Sequence, residues 1–390
     1  MRTVGIIAEY NPLHRGHAWH IEQAKKAAGA EAAVVVTSTA FTQRGEAAIL
    51  APADRARMAL AAGADAVFAL PVMWAVRDAE HFALGGVSIL HSLGVDAISF
   101  GAETAELPRL QRAAELLSHP PESMQAALRQ HLQAGQPYPA AVHRAAEAAD
   151  PETAALLREP NCILAVEYLR AMKRLDSGME VCPIRREGGY HATSLGEAMP
   201  SATAVRGAIQ RGDWRGAEAA MTAESFAILR DAAHKGRIHR PEALDTALLY
   251  RLRTMGDMAS LPDVSEGIEM RLRASAMRCT SREEMLQDAK TRRYPYARLS
   301  RLCAHALLGV TADMLRAQEL PPAAWLLGLK KGSEGLMGQM AKGGFPIIAK
   351  AADYALGGEW FEVEKRAYDL WALGAGSEAG LAMRQGVVRE

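Results

Sequence analysis

His14 and His17, three residues apart with Gly16 between them, are the side chains of this chain whose types and spacing most directly suggest chemistry. They follow the apolar run Val4-Gly5-Ile6-Ile7-Ala8 and the segment Glu9-Tyr10-Asn11-Pro12-Leu13. The pattern reads as a buried strand ending in a tight turn, then a helix whose first turn carries His17. That geometry points free backbone N–H groups at an anion, and it suits a nucleotide's phosphates. When a nucleophile attacks the α-phosphorus of ATP, negative charge builds on the phosphoryl oxygens and on the departing pyrophosphate. Donors fixed there beforehand lower the barrier. On this reading the two imidazoles are those donors. The plainer alternative makes His14 a solvated turn residue and His17 an ordinary N-terminal helix residue. Gly16 lets the backbone approach a phosphate closely, and Pro12 stiffens the turn.

The elements that must hold this bend are legible around it. Apolar runs occur at 3–8, 32–37, 66–70 and 97–100, separated by helical stretches at 16–28, 53–62 and 78–93. Continuous apolar runs mean strands covered on both faces, hence a parallel sheet with right-handed crossovers, a doubly wound α/β domain. Ligands of such sheets sit beyond the carboxyl ends of the strands. Residues 107–174 read as mostly helical, interrupted by Pro120-Pro121 and Pro137-Tyr138-Pro139, and 180–184 as a late strand. The loop from Arg185 to His191 leads to Ser201-Ala202-Thr203-Ala204-Val205-Arg206, where Ser201 or Thr203 is placed to cap the next helix. Beyond Trp214 only amphipathic helical patterns are expected, which puts a domain boundary between residues 1–213 and an all-α region, 214–390.

Composition narrows the function. Lys plus Arg and Asp plus Glu both number 45, so no global basic field advertises nucleic acid, and any RNA site must be a local patch. Cys162, Cys182, Cys279 and Cys303 are scattered without C-x-x-C or Cys/His pairing, which indicates neither a disulfide framework nor a zinc site. No G-x-S-x-G elbow is present. With no leader-like N-terminus and no run approaching the length of a membrane span, the expected location is the cytoplasm. One local patch stands out. Lys290, Arg292, Arg293, Arg298 and Arg301 are interleaved with Tyr294 and Tyr296 and have no acidic residue among them. Basic side chains neutralise phosphates and tyrosine faces stack on unpaired bases, so this stretch suits single-stranded RNA, or else is a solvated face. Lys330 and Lys331 form a weaker patch with no assigned role.

The spacing H-x-G-H after a first strand resembles the signature of the HIGH-type nucleotidyltransferases. Several further blocks, in order, are similar to those of the bacterial tRNA(Met) cytidine acetate ligase family. They are E-Y-N-P-L-H-R-G-H-A-W-H from Glu9, F-T-Q-R-G-E from Phe41, F-G-A-E from Phe100, P-N-C-I-L from Pro160, G-Y-H from Gly189, S-A-T-A-V-R from Ser201 and K-T-R-R-Y from Lys290. The resemblance covers essentially the whole chain.

It implies an ATP site built from Ile7, Ala8, Glu9, Tyr10, Asn11, Pro12, Leu13, His14, Arg15, Gly16, His17, Ala18, Trp19 and His20, with Gly101, Asn161 and Arg185 or Arg186. Ser201, Thr203 and Arg206 join the histidines as the catalytic set. Their hydroxyls and helix N-terminus would hold β- and γ-phosphate oxygens beside the fixed charge of Arg206, although S-A-T-A-V-R departs from the commoner I-S-S-T-x-I-R. Asn161 reads equally as a helix cap, Gly101 as a strand-ending turn, and Gln43, Arg44 and Glu46 as either acceptor-side contacts or a bland loop. The implied reaction joins acetate to AMP, with magnesium on the phosphates and no protein-held metal. It then passes the acetyl group to the wobble cytidine of elongator tRNA(Met), with Lys290, Arg292, Arg293, Tyr294, Arg298 and Arg301 on the tRNA and no obligate protein partner. A small-molecule nucleotidyltransferase and a non-catalytic tRNA binder are the alternatives.

Overall fold

Four apolar runs and the late strand of the first half become the parallel heart of a sheet. In the computed structural model, which describes residues 1–186 and 201–390, they are β1 (Thr3–Ala8), β2 (Ala32–Ser38), β3 (Ala66–Leu70), β4 (Ala97–Ala102) and β5 (Glu180–Arg185). They lie in the order β5-β4-β1-β2-β3, all parallel. β2 and β3 are buried at every residue, which is why they read as unbroken apolar runs instead of alternating ones.

The chain lays down β1, β2 and β3 in one direction and then crosses back to place β4 on the other side of β1. With right-handed crossovers, this reversal puts helices Arg15–Ala28 and Pro52–Ala61 on one face and Ala79–Ser92 on the other. The last helix packs tightly on β1: a Cβ at Gly86 would lie 2.7 Å from Ile7 Cδ1, and one at Gly5 would lie 2.6 Å from Leu90 Cδ1. Between β1 and β4 the sheet has its switch point, where a crevice opens beyond the strand ends. Helices from Leu107–Ser118 to Pro160–Arg174 fill the connection to β5, broken at the expected prolines.

The expectation of no strand beyond Trp214 is corrected. Ala324–Leu329 forms β6, antiparallel to β3, and Ile347–Ile348 (β7) and Val388–Arg389 (β8) pair parallel with β6. The physical reason is the outer edge of β3, whose backbone groups are buried and need partners. Every residue of A-W-L-L-G-L is buried there. The doubly wound α/β fold stands, and its sheet is extended by the end of the chain. Between Trp214 and Ala317 the described elements are helical, and residues 245–308 wrap a second core that includes Leu248, Leu252, Ile268, Leu272, Leu286, Leu299 and Leu302. All four cysteines are free and buried. Among the described residues no helix is long and apolar enough to cross a membrane.

Candidate active site

The histidine bend begins where β1 ends. Tyr10 is a buried aromatic residue held at φ 45°, in the left-handed region that bulky side chains avoid, and the Asn11–Pro12 bond is cis. His14 is then the N-cap of helix Arg15–Ala28. Its Nδ1 accepts from Gly16 N at 3.1 Å, while His14 N donates to His17 Nδ1 at 3.3 Å. The sequence-based expectation of free amides is corrected here, because these two N–H groups are taken by the imidazoles. The consequence is chemical. Since both Nδ1 atoms accept, both rings in the neutral state carry their proton on Nε2, and that N–H is the donor left for a ligand. The rings stack with centroids 3.7 Å apart. Burial and the nearby Arg186 push the His14 pKa down to about 3; burial, the charge of His14 and Arg186 hold His17 well below its ordinary value. His20, which meets Ser99 Oγ through Nε2 at 3.2 Å, is lowered by burial and Arg186 to about 4. The site therefore holds neutral imidazoles beside an arginine, an arrangement that gains from an incoming polyanion.

On the β4–β5 side of β1 a second cluster forms. Arg186 Nη1 donates to Asn161 Oδ1 at 3.2 Å, and Asn161 Nδ2 donates to Glu103 Oε1 at 2.6 Å. Glu103 also accepts from the backbone N–H groups of Asn161 and Cys162, so it satisfies the N-terminus of helix Pro160–Arg174. Burial acts to raise its pKa, but the hydrogen bonds from Asn161 and Cys162 prevail and hold it low. Asn161 is thus not the side-chain cap. Glu103 does that work and fixes the Asn161 amide, which in turn orients Arg186.

Ser201 caps helix Ala202–Gln210 by accepting from Ala204 N at 3.0 Å. Thr203 Oγ1 accepts from Arg206 Nη2 at 3.2 Å, and Arg206 Nη1 donates to Asn11 O at 2.8 Å. The late helix is thereby tied to the histidine bend.

These groups line one cleft of about 390 Å³. Ile7, Ala8, Glu9, Tyr10, Asn11, His14, Gly16, His17, Trp19, His20, Gly101, Asn161, Arg186, Ser201, Thr203 and Arg206 all face it, as do Gln43, Arg44 and Glu46. Of the two candidate arginines, Arg186 lines the cleft and Arg185 does not. Pro12, Leu13, Arg15 and Ala18 are also outside it: Leu13 is core, and Arg15 Nε holds Met221 O at 3.1 Å. Gly189–His191 lies outside the described residues.

Sequence reasoning singled out neither Tyr168 in the lining nor Arg55 behind it, whereas Thr42, Phe100 and Glu103 lie in blocks it had marked. Arg55 is fully buried, with Nη1 donating to Glu9 O at 2.6 Å and Nη2 to Thr39 O. The F-G-A-E block held a signal for Glu103, whereas nothing local marked Arg55.

The basic stretch lies differently. Arg298 donates to Asp263 O and Ser265 Oγ, Arg301 lies 3.9 Å from Asp263 Oδ2, and Arg293 pairs with Glu266 at 2.9 Å. Tyr294 is buried with its hydroxyl on Glu266 O, and Tyr296 bonds Glu283 at 2.6 Å. Asp263 and Glu266 both have positive φ, so these side chains brace a loop in an unfavourable conformation. Within this stretch, only the side chains of Lys290 and Arg292 are exposed with no hydrogen-bond or ion-pair partner among the described residues.

Comparison with known proteins agrees with this geometry. The family model described as HIGH Nucleotidyl Transferase matches residues 1–382. The chain is 34% identical over 370 residues to the tRNA(Met) cytidine acetate ligase of Acetivibrio thermocellus, covering 91% of this chain and 89% of that protein. It is 33% identical over 383 residues to the same-named protein of Thermoanaerobacter sp. strain X514, covering 96% and 95%. It also superposes on Thermotoga maritima TmcAL crystallised with alpha-thio ATP, with a TM-score of 0.93, 26% identity and full coverage of both chains. The chain belongs to the tRNA(Met) cytidine acetate ligase family of the HIGH nucleotidyl transferases.

Proposed function

We propose that this chain is an ATP-dependent ligase that converts acetate to acetyl-adenylate, releasing pyrophosphate. It then transfers the acetyl group to N4 of the wobble cytidine of elongator tRNA(Met), giving N4-acetylcytidine. The observation that carries this reading is the convergence of His14, His17, Ser201, Thr203, Arg206 and Arg186 on one cleft at the sheet's switch point. Its volume lies in the range of small-molecule sites.

A free carboxylate is a poor acyl donor, and adenylation turns it into a mixed anhydride whose phosphate side leaves readily. As an acetate oxygen attacks the α-phosphorus, the Nε2–H groups of His14 and His17 meet the charge growing on the phosphoryl oxygens. Arg206 and the Ser201-capped helix hold the departing pyrophosphate, and Asn161 and Arg186 hold the nucleoside side. In this step positioning and charge stabilisation are the protein's whole contribution, so no side-chain nucleophile is needed. Magnesium belongs with the nucleotide as part of the substrate. Among the described residues no group of three His, Cys, Asp or Glu is placed to hold an ion.

Functionally the chain divides near residue 213. Residues 1–213 hold the nucleotide. Residues 214–390 supply the tRNA face, chiefly Lys290 and Arg292, while lending β6 to β8 to the sheet. A cytoplasmic location follows from the tRNA substrate. Incubating the protein with ATP, acetate and tRNA(Met) and digesting the RNA tests the reading. N4-acetylcytidine that requires both small substrates supports it, and unmodified tRNA alongside normal acetate-dependent pyrophosphate exchange would remove the tRNA assignment.

A further inference from the structure

The order of the strands gives the cleft two sides. Gly101, Asn161 and Arg186 follow β4 and β5 on one side of β1, while Gln43, Arg44 and Glu46 follow β2 on the other. If the amide and guanidinium groups of the first side take the nucleoside, the second side is left for the acceptor. Glu9 stands at that side. Its Oε1 accepts from Gln43 N at 2.7 Å, and its other oxygen has no hydrogen-bond partner among the described residues. The loop that carries Gln43 is clamped from the helical region. Ser300 Oγ donates to Arg44 O, Arg282 Nη2 donates to Ser300 Oγ at 2.5 Å, and a Cβ on Gly45 (φ 73°) would lie 2.6 Å from Ser300 O. The proposed tRNA-bearing part of the molecule therefore touches the very loop that fixes this carboxylate.

Resting on the acetate ligase reading, we propose that Glu9 receives the cytidine's exocyclic amine: its carboxylate accepts the N4–H hydrogen bond and takes the proton released as the amide forms. A carboxylate only accepts hydrogen bonds, and cytosine offers a donor at this edge where uracil offers an acceptor, so Glu9 also selects the base. Acetate, itself an anion, is repelled by Glu9 and drawn to the arginines. The step balances. The N4 lone pair attacks the acetyl carbonyl, the N–C bond forms, one N4 proton passes to Glu9 and then to water, and the C–O bond to phosphate breaks as AMP leaves with its electron pair. The groups facing Glu9 are Arg55 from helix Pro52–Ala61, Arg44 from the loop, Arg206 from helix Ala202–Gln210 and Tyr168 from helix Pro160–Arg174. Burial raises the Glu9 pKa, and the Gln43 N–H and the three arginines oppose that rise. A raised value brings a carboxylate nearer the strength a proton acceptor needs at neutral pH.

The test separates the two half-reactions in Glu9→Gln and Glu9→Asp. Acetate-dependent ATP–pyrophosphate exchange reports adenylation, and single-turnover transfer from preformed acetyl-adenylate to tRNA(Met), followed against pH, reports the second step. Glu9→Gln is expected to slow transfer roughly 100-fold, erase the acidic limb of its pH profile and reduce exchange far less. It should also lose the preference for tRNA with C34 over U34 in binding, and Glu9→Asp should restore part of the transfer. Transfer at the parent rate with an unchanged pH limb, or an equal fall in both half-reactions, would overturn the role of Glu9. Absence of acetate-dependent exchange in the parent protein would instead remove the acetate ligase reading, and this proposal with it.

Discussion

Two groups of cationic or donor side chains are offered by the sequence for anion binding, and they end in contrasting roles. Around the histidine bend the backbone decides: the N-cap at His14, the positive φ at Tyr10 and the Arg206 bond to Asn11 O leave little choice of where the donors face. In the stretch from Lys290 to Arg301 the backbone decides nothing, and the long side chains turn to whatever acid is near. Arg293, Arg298 and Arg301 find Glu266 and Asp263, and only Lys290 and Arg292 stay unengaged among the described residues. A motif that sets its own geometry carries its function into the fold, whereas a charge run is assigned by its neighbours.

The largest effect that tests this contrast is at the bend. His14→Ala or His17→Ala should each reduce ATP–pyrophosphate exchange by roughly 10² to 10³-fold while leaving tRNA affinity within about twofold. Exchange assays and filter binding check this, and equal damage to both activities would break the distinction.

Next comes pH. His14 and His20 in the cleft, and His239 and His305 elsewhere, have folded pKa values lowered by burial to about 3, 4, 4 and 3. Each takes up a proton on unfolding, so stability rises with pH and is lost as pH falls from about 6.5 toward these values. The loss is at most about 1.4 kcal/mol per pH unit for each group. Denaturant titrations at a series of pH values should show it, and His14→Asn should flatten the slope.

Smaller still, Arg298→Ala should destabilise the protein by about 1 to 3 kcal/mol, because it strips the carbonyl of Asp263 of its donor. Its tRNA affinity per folded molecule should barely change. Lys290→Ala with Arg292→Ala should do the converse. Affinity for tRNA should weaken by about 1 kcal/mol, its salt slope should fall by roughly 1 for each phosphate no longer neutralised, and the melting temperature should hold. Thermal melts and binding isotherms across salt would separate the pairs, and a reversal of the two patterns would contradict the assignment.

What was legible in the sequence follows the same division. β1 to β3 appeared within a residue of their expected bounds, because strands buried on both faces leave unbroken apolar runs. The Ser201 cap and the turn before His14 were legible because capping chemistry is local. β6 was not, although Pro321-Pro322 and A-W-L-L-G-L carried a strand's composition. Its partner β3 lies more than 250 residues earlier by number, and no local pattern announces an antiparallel return. Arg55 bonding Glu9 O and Glu103 anchoring Asn161 were hidden for the same reason, as contacts between distant segments. The acids that claim Arg293 and Arg298 stand 27 to 35 residues upstream, out of reach of any reading of the stretch itself.

The central claim, that the imidazole-lined cleft activates acetate with ATP, is tested most directly by isotope exchange between pyrophosphate and ATP, run with and without acetate. Exchange that depends on acetate and disappears in His17→Ala is the predicted result. Exchange indifferent to acetate, or surviving intact without that imidazole, would contradict the account.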